Sequence, residues 1–260
     1  MLPYISFFGF EVQTYSLLAA FGLIVAAFVA VYLGKKRNIT PYQSLTAVLA
    51  SVAGVFIGGH ILFAVTNIKE IVKLVSGGSF TFSALMPYVS GMVFYGGLFG
   101  AIIAVAVYTY VNKETPKADV FDVFAVVVPL FHAFGRVGCF FAGCCYGVES
   151  KFGFVTYLNA SPAHYGISRF PVALFEAFVN LLIFVLLLCL FKKKKLYGKL
   201  VFLYLGIYAV ARFVLEFFRG DKIRGFALGF STSQLISLLV VFFLVAFVIY
   251  KFIKKSSNRN

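Results

Sequence analysis

Apolar residues in this chain neither alternate at a strand's period of two nor keep the 3.6-residue stripe of a surface helix; they run on in long blocks. A helix needs about 20 mostly apolar residues to cross the hydrocarbon core of a bilayer. Seven blocks reach that length, at 13 to 33, 43 to 66, 88 to 111, 119 to 140, 171 to 191, 197 to 217 and 232 to 252. Backbone groups in lipid must find partners inside their own segment, and the Leu, Val, Phe and Ile runs lack the alternation of a barrel strand, so each block is expected to be helical. The expected fold is all-α: a polytopic integral membrane protein with about seven transmembrane helices, forming a single domain over 1–260. The first block has no basic leader or small-residue cleavage site and is followed by further spans, so it reads as a span and not as a removable signal peptide.

Composition agrees with the pattern. Apolar residues make up 62% of the chain and charged residues 12%, against about 25% charged in a soluble domain. The net charge of +14 would suggest a nucleic-acid partner only if the basic residues shared one soluble face. Instead they fall in the loops, so no nucleic acid is expected and their distribution reports topology. Fourteen lie in one set of alternate loops and the tail: Lys35, Lys36, Arg37, Lys113, Lys117, Lys192 to Lys195, Lys199, Lys251, Lys254, Lys255 and Arg259. Seven lie in the other set: Lys69, Lys73, Lys151, Arg169, Arg219, Lys222 and Arg224. The richer side is expected to be cytoplasmic, with the amino terminus outside and the carboxyl terminus inside.

Arg136 and Arg212 remain, both inside spans. An arginine at the centre of a span costs about 2.5–3.5 kcal/mol to insert, so it normally faces a polar cavity or a partner. The fourth and sixth blocks run in the same direction, which puts both arginines toward the outer side. Tyr208, Arg212, Glu216 and Arg219 follow one helical face at spacings of four, four and three, and His132 shares a face with Arg136. Tyr95, beside Gly96 and Gly97, enters at similar depth. Arginine grips phosphate through a planar fork of donors and stays charged at physiological pH, so this layer suits a phospholipid head group. From the residues alone, a bland reading stands beside that one: Arg212 and Glu216 simply pair, and Arg136 snorkels to the interface through its long stem.

The Gly-rich stretch from Gly135 to Gly147 is expected to break the fourth helix. Cys139, Cys144 and Cys145 lack the spacing of a zinc site, and Cys189 reads as a packing residue, so no metal is expected. No phosphate-binding loop or nucleophile elbow occurs. Asp119 and Asp122 are the main polar residues near the inner end, with Asp119 at the interface.

Gly135-Arg136-Val137-Gly138 followed by Gly147, together with Tyr208-x-x-x-Arg212-Phe213-x-x-Glu216-Phe217-Phe218-Arg219, resembles the prolipoprotein diacylglyceryl transferase family. Phe170-Pro171-x-x-Leu174-Phe175-Glu176 and Ser231-Thr232-Ser233-Gln234 resemble further family segments, and the likeness covers nearly the whole chain. The resemblance implies a multi-pass enzyme of the bacterial cytoplasmic (inner) membrane. It would move the diacylglyceryl group of phosphatidylglycerol onto the lipobox cysteine thiol of a preprolipoprotein signal peptide, forming a thioether, with no metal or soluble cofactor. Its partners would be phosphatidylglycerol, the preprolipoprotein and membrane lipids. Carried over, Arg136 and Arg212 would hold the phosphate and stabilise its growing charge. Glu216 and Tyr208 would orient Arg212, while Arg219, Gly96, Gly97 and Gly138 would line the substrate site.

Two departures stand out. Tyr95-Gly96-Gly97 replaces the family's His-Gly-Gly, and a tyrosine with an ordinary pKa near 10 is a poor base at neutral pH; His132 is the candidate catalytic replacement. Gly138-Cys139-Phe140-Phe141-Ala142-Gly143-Cys144 replaces Gly-Asn-Phe-x-Asn-x-Glu, losing two amides and a carboxylate. A paralogue with another acceptor, or a non-catalytic anionic-lipid binder or transporter, are the alternatives. Residues 148 to 170, with Glu149, Lys151, His164 and Arg169, form the candidate acceptor-docking element.

Overall fold

The computed structural model describes residues 4–7, 10–78, 81–143, 145–155, 166–220, 226–227 and 229–257. In chain order the elements are β1 (Tyr4–Phe7), β2 (Phe10–Gln13), α1 (Thr14–Lys35), α2 (Pro41–Thr66), α3 (Ile68–Ser76), α4 (Phe82–Val89), α5 (Phe94–Val111) and α6 (Lys117–Ala142). There follow β3 (Glu149–Val155), β4 (Ser168–Arg169), α7 (Val172–Lys192), α8 (Leu200–Leu215) with a 3-10 turn at Glu216–Phe218, β5 (Phe226–Ala227), β6 (Phe230–Ser231) and α9 (Thr232–Ser257). Among the described residues seven helices, α1, α2, α5, α6, α7, α8 and α9, are long and apolar enough to cross a membrane. The all-α, seven-span fold is therefore as the sequence predicts. Three small two-stranded antiparallel sheets among the described residues, β1–β2, β3–β4 and β5–β6, add to it.

One boundary differs from expectation. The third span starts at Phe94, because Phe82–Val89 forms a separate helix that contains Pro87. The break is held by α2: His60 Nδ1 donates to the Gly91 carbonyl at 2.9 Å and lies 3.1 Å from that of Val89, while the Val93 amide donates to Gly59 O at 3.2 Å. These bonds replace the helical ladder where it stops. The Gly-rich stretch from Gly135 to Gly147 does end the fourth helix, as expected: α6 runs through Gly135 and Gly138 to Ala142 and stops at Gly143, whose φ is +69°. Gly138 instead serves close packing, since a Cβ there would come 3.1 Å from the Tyr15 ring of α1. Among the described glycines of that stretch, only Gly143 adopts the left-handed conformation that glycine supplies without strain.

The chain divides into two compact units, Ala30–Phe121 and Met1–Val29 with Asp122–Asn260. In the first, α2 and α5 are antiparallel and approach closely at two glycine pairs. A Cβ on Gly54 or Gly100 would run into the backbone of the other, and the same holds for Gly58 and Gly96. Thr46 and Tyr108 share a hydrogen bond of 2.7 Å at one end of this contact. Thr40 caps α2 in a reciprocal box with Gln43, at 2.9 and 3.2 Å, with Pro41 in the first turn. Asp119 pairs with Arg37 at 3.4 Å.

In the other unit α7, α8 and α9 pack in sequence and α1 lies against α6, with Phe21 edge-on to Phe134. The fully buried Asp122 accepts from the amides of Gly198 and Leu200 at 2.7 and 3.1 Å, so it caps the start of α8 from a neighbouring helix. The carboxylate meets orphan amides at the positive end of the helix. Asp122→Ala is expected to remove two charge-assisted hydrogen bonds, costing about 2–4 kcal/mol. A clear fall in the thermal unfolding midpoint in detergent would show it, and an unchanged midpoint would contradict it.

Candidate active site

Consecutive spans run in alternate directions, so the carboxyl ends of α6 and α8 lie at the same end of the bundle as the amino ends of α7 and α9. Arg136 is near the end of α6, Glu176 near the start of α7, Arg212 at the end of α8 and Ser233 at the start of α9. Their side chains meet. Glu176, only 1% exposed, receives Arg136 Nη2 on Oε1 at 3.0 Å and Arg212 Nη1 on Oε2 at 3.2 Å. The Tyr208 hydroxyl donates to the same Oε1 at 3.3 Å. Arg212 Nη2 lies 2.9 Å from Glu216 Oε2 and 3.4 Å from Ser233 Oγ. Arg136 Nε donates to His132 Nε2 at 3.1 Å.

That last bond assigns the histidine. A ring nitrogen accepting from a guanidinium carries a lone pair, so the His132 ring is neutral with its proton on Nδ1. The lone pair is spent on Arg136, and His132 holds that arginine in place. Its ring also packs edge-on against Tyr208, with centroids 5.2 Å apart. Tyr208 and Glu216 both bear on Arg212, but by different routes: Glu216 touches it directly, one turn along the same helix, whereas the hydroxyl of Tyr208 works through Glu176.

Glu176 is the residue that sequence reasoning did not place in the site. The available signal was a carboxylate inside an apolar span, which is as costly as an arginine there and implies a partner. Asn180, one turn further along α7, is fully buried too and donates to the Glu176 carbonyl at 2.8 Å. Three guanidiniums, counting Arg219, face two carboxylates with a neutral histidine between them. The cluster therefore carries one positive charge.

Past α6 the chain threads between the segments that precede α7 and follow α8. The Val148 amide donates to Phe218 O at 3.0 Å, Gly220 N to Tyr146 O at 3.0 Å, and Phe170 N to Val148 O at 2.9 Å. Arg169 stacks over the Tyr146 ring at 4.8 Å and donates to Gly147 O at 3.2 Å. A Cβ on Gly147 would collide with the carbonyl oxygens of Phe170 and Phe218. This clasp brings Cys145 to the arginines: Arg219 Nη2 is 3.6 Å from its sulfur and Arg136 Nη1 is 3.9 Å away. Cys139 and Cys145 are not disulfide-bonded, whereas Cys144 lies outside the described residues. Ser231 and Gln234 form a reciprocal cap, at 2.9 and 3.2 Å, that sets the start of α9 and hence Ser233.

Tyr95, Gly96 and Gly97 belong to the other unit, where Tyr95 is buried and stacks on Phe99 at 6.2 Å. Gly96 and Gly97 face α2, against Gly58 and Val55. Of the expected acceptor-docking element, Val148 to Val155 and Gly166 to Phe170 are described, and His164 lies outside the described residues.

The prolipoprotein diacylglyceryl transferase family profile matches residues 3–250. The chain is 32% identical over 238 residues to the phosphatidylglycerol--prolipoprotein diacylglyceryl transferase of Clostridium tetani (strain Massachusetts / E88), covering 90% of this chain and 91% of that one. It is 30% identical over 239 residues to a second such transferase from Clostridium perfringens (strain 13 / Type A), covering 90% and 89%. To the Campylobacter lari (strain RM2100 / D67 / ATCC BAA-1060) protein of the same description it is 31% identical over 248 residues, covering 90% and 87%. With its seven apolar helices, its buried arginine pair and this match along almost its entire length, the chain belongs to the prolipoprotein diacylglyceryl transferase family.

Proposed function

We propose that this protein transfers the diacylglyceryl group of phosphatidylglycerol to the lipobox cysteine thiol of preprolipoproteins, forming a thioether and releasing glycerol phosphate. The observation that carries the reading is the Arg136–Glu176–Arg212 triad with its surplus positive charge. A phosphodiester carries one negative charge, which matches that surplus. As a thiolate attacks the glyceryl carbon and the carbon–oxygen bond breaks, the departing phosphate gains a second. Guanidiniums already fixed by Glu176, Glu216 and His132 stabilise that growing charge without reorganising. Arg136, Arg212 and Arg219 then bind and polarise the phosphate. Glu176, Glu216, Tyr208 and His132 hold the guanidiniums in place, and Gly138 and Gly147 let the backbone come close enough. The role of Tyr95, Gly96 and Gly97 rests on the family resemblance alone.

The whole chain acts as one membrane domain in the bacterial cytoplasmic (inner) membrane, with the amino terminus outside and the carboxyl terminus in the cytoplasm. The excess of Lys and Arg in one set of loops supports that orientation, and it puts the arginine cluster in the outer leaflet, where a secreted lipobox arrives. Cysteines at positions 139 and 144, in place of the family's amide and carboxylate, favour one second reading: a paralogue that uses another thiol acceptor.

The test is transfer of labelled diacylglyceryl from phosphatidylglycerol to a lipobox peptide by purified protein in liposomes, comparing wild type with Arg136→Ala and Arg212→Ala. Thioether formation that needs both arginines supports the reading. Arginine-dependent lipid binding without transfer would move it to the paralogue, and no binding would sink it. Gly147→Val is expected to reduce transfer at least about 100-fold, because both colliding atoms are backbone carbonyls that cannot swing away. Wild-type turnover in that variant would show that the clasp does not shape the site.

A further inference from the structure

We propose that Cys145 is the general base of the reaction, taking the proton from the incoming acceptor thiol. This rests on the proposed transfer reaction. The acceptor must react as a thiolate, yet a free cysteine thiol, with a pKa near 8.5, is mostly protonated at neutral pH. Some group at the arginine cluster has to accept that proton. His132 is committed to Arg136 through its Nε2 lone pair. Glu176 and Glu216 are buried and engaged with arginines, and a carboxylate that leaves them would strip the phosphate site of its counter-charge.

Cys145 differs on each point. Its sulfur sits where two guanidiniums from different elements converge, Arg136 Nη1 at 3.9 Å and Arg219 Nη2 at 3.6 Å. Such a pair of donors favours the thiolate. The residue is half-buried, not sealed, so a second thiol can approach it. It also touches Arg136 and Arg219, which would grip the phosphate, so the base lies next to the leaving group; as a thiolate it offsets the cluster's single positive charge, and taking up the acceptor's proton frees that charge for the departing phosphate. Held as a thiolate at neutral pH, Cys145 is already in the protonation state a general base needs, and the acceptor thiolate it generates is consumed by attack on the glyceryl carbon.

The steps balance. The acceptor thiol gives its proton to the Cys145 thiolate. The acceptor thiolate forms a carbon–sulfur bond to the glyceryl carbon while the carbon–oxygen bond breaks and its electron pair leaves on the phosphate. Cys145 then returns the proton to the departing glycerol phosphate dianion, whose second ionisation is near pH 6, and the thiolate is restored.

The experiment is the liposome transfer assay run from about pH 6 to about pH 8 with wild type, Cys145→Ser and Cys145→Asp. Wild type is expected to be nearly flat across this range. Cys145→Ser is expected to lose about 100-fold at neutral pH and to recover about tenfold per pH unit, because only the acceptor's own ionisation then supplies thiolate. Cys145→Asp, which restores an anionic base, is expected to regain part of the rate. In wild type, iodoacetamide is expected to modify Cys145 near pH 6, as read by peptide mapping, and phosphatidylglycerol liposomes are expected to slow it. A Cys145→Ser protein with wild-type rate and a flat profile would overturn the role, as would a Cys145 unreactive to iodoacetamide near pH 6 or one carrying a diacylglyceryl adduct. Absence of transfer by wild type would sink the activity and this role with it, whereas an active wild type with an unaltered Cys145→Ser would sink this role alone.

Discussion

Glu176→Ala is expected to abolish measurable transfer and to destabilise the protein together. The carboxylate receives Arg136 at 3.0 Å, Arg212 at 3.2 Å and the Tyr208 hydroxyl at 3.3 Å, all in the interior of the bundle. Removing it leaves two buried guanidiniums facing each other across the space it occupied. Deleting one partner of a buried ion pair costs about 3–5 kcal/mol, because the other charge is left uncompensated. Thermal unfolding in detergent reads that loss directly. Glu176→Gln separates folding from chemistry. It keeps the shape and one acceptor oxygen, raises the cluster's surplus from one positive charge to two, and loosens the grip on one arginine. Phosphatidylglycerol should bind at least as well while kcat falls about 100-fold, a split that places the residue's effect in the transition state. Wild-type kcat in Glu176→Gln would show that the carboxylate serves stability alone.

Arg136→Lys tests whether the site needs a charge or a fork. Three separate donors of the guanidinium are in use: Nε to His132 at 3.1 Å, Nη2 to Glu176 at 3.0 Å and Nη1 to Cys145 at 3.9 Å. A lysine ammonium keeps the charge but presents its donors from one atom, so it cannot span three partners set around a plane. Loss of one preorganised donor to a developing anion typically costs about 100- to 1,000-fold in kcat. The lysine variant is expected to fall in that range, with KM for phosphatidylglycerol changed less than about tenfold. Turnover near wild type would reduce Arg136 to a point charge. Because the triad acts as a unit, Arg136→Lys combined with Arg212→Lys is expected to lose much less than the product of the two single effects.

Much of this protein could be read without its coordinates, and the reason is the bilayer. A lipid environment forces backbone hydrogen bonds inside each segment and sets segment length by hydrocarbon thickness, so the seven helices are written in the apolar blocks. Neighbours within one helix were legible for the same reason: spacings of four put His132 beside Arg136 and Arg212 beside Glu216, and both pairs form, at 3.1 and 2.9 Å. Where helices stop was less legible. The Gly-rich stretch announced the end of α6 but not which glycine makes it: Gly138 lies within the helix and lets Tyr15 approach, whereas Gly143 stops it, and only packing says which use applies. The start of α5 depends on bonds from His60 and Gly59, which belong to another helix. The centre of the site was decided by tertiary structure alone. Glu176 stands 40 positions from Arg136 and 36 from Arg212 along the chain, and its place between them is fixed by how α6, α7 and α8 are rotated about their axes. Cys145 reaches the arginines only because the chain turns at Gly143 and is clasped between Phe170 and Phe218. Rotation and clasp follow from side-chain packing across segments far apart in sequence, and no local pattern encodes them.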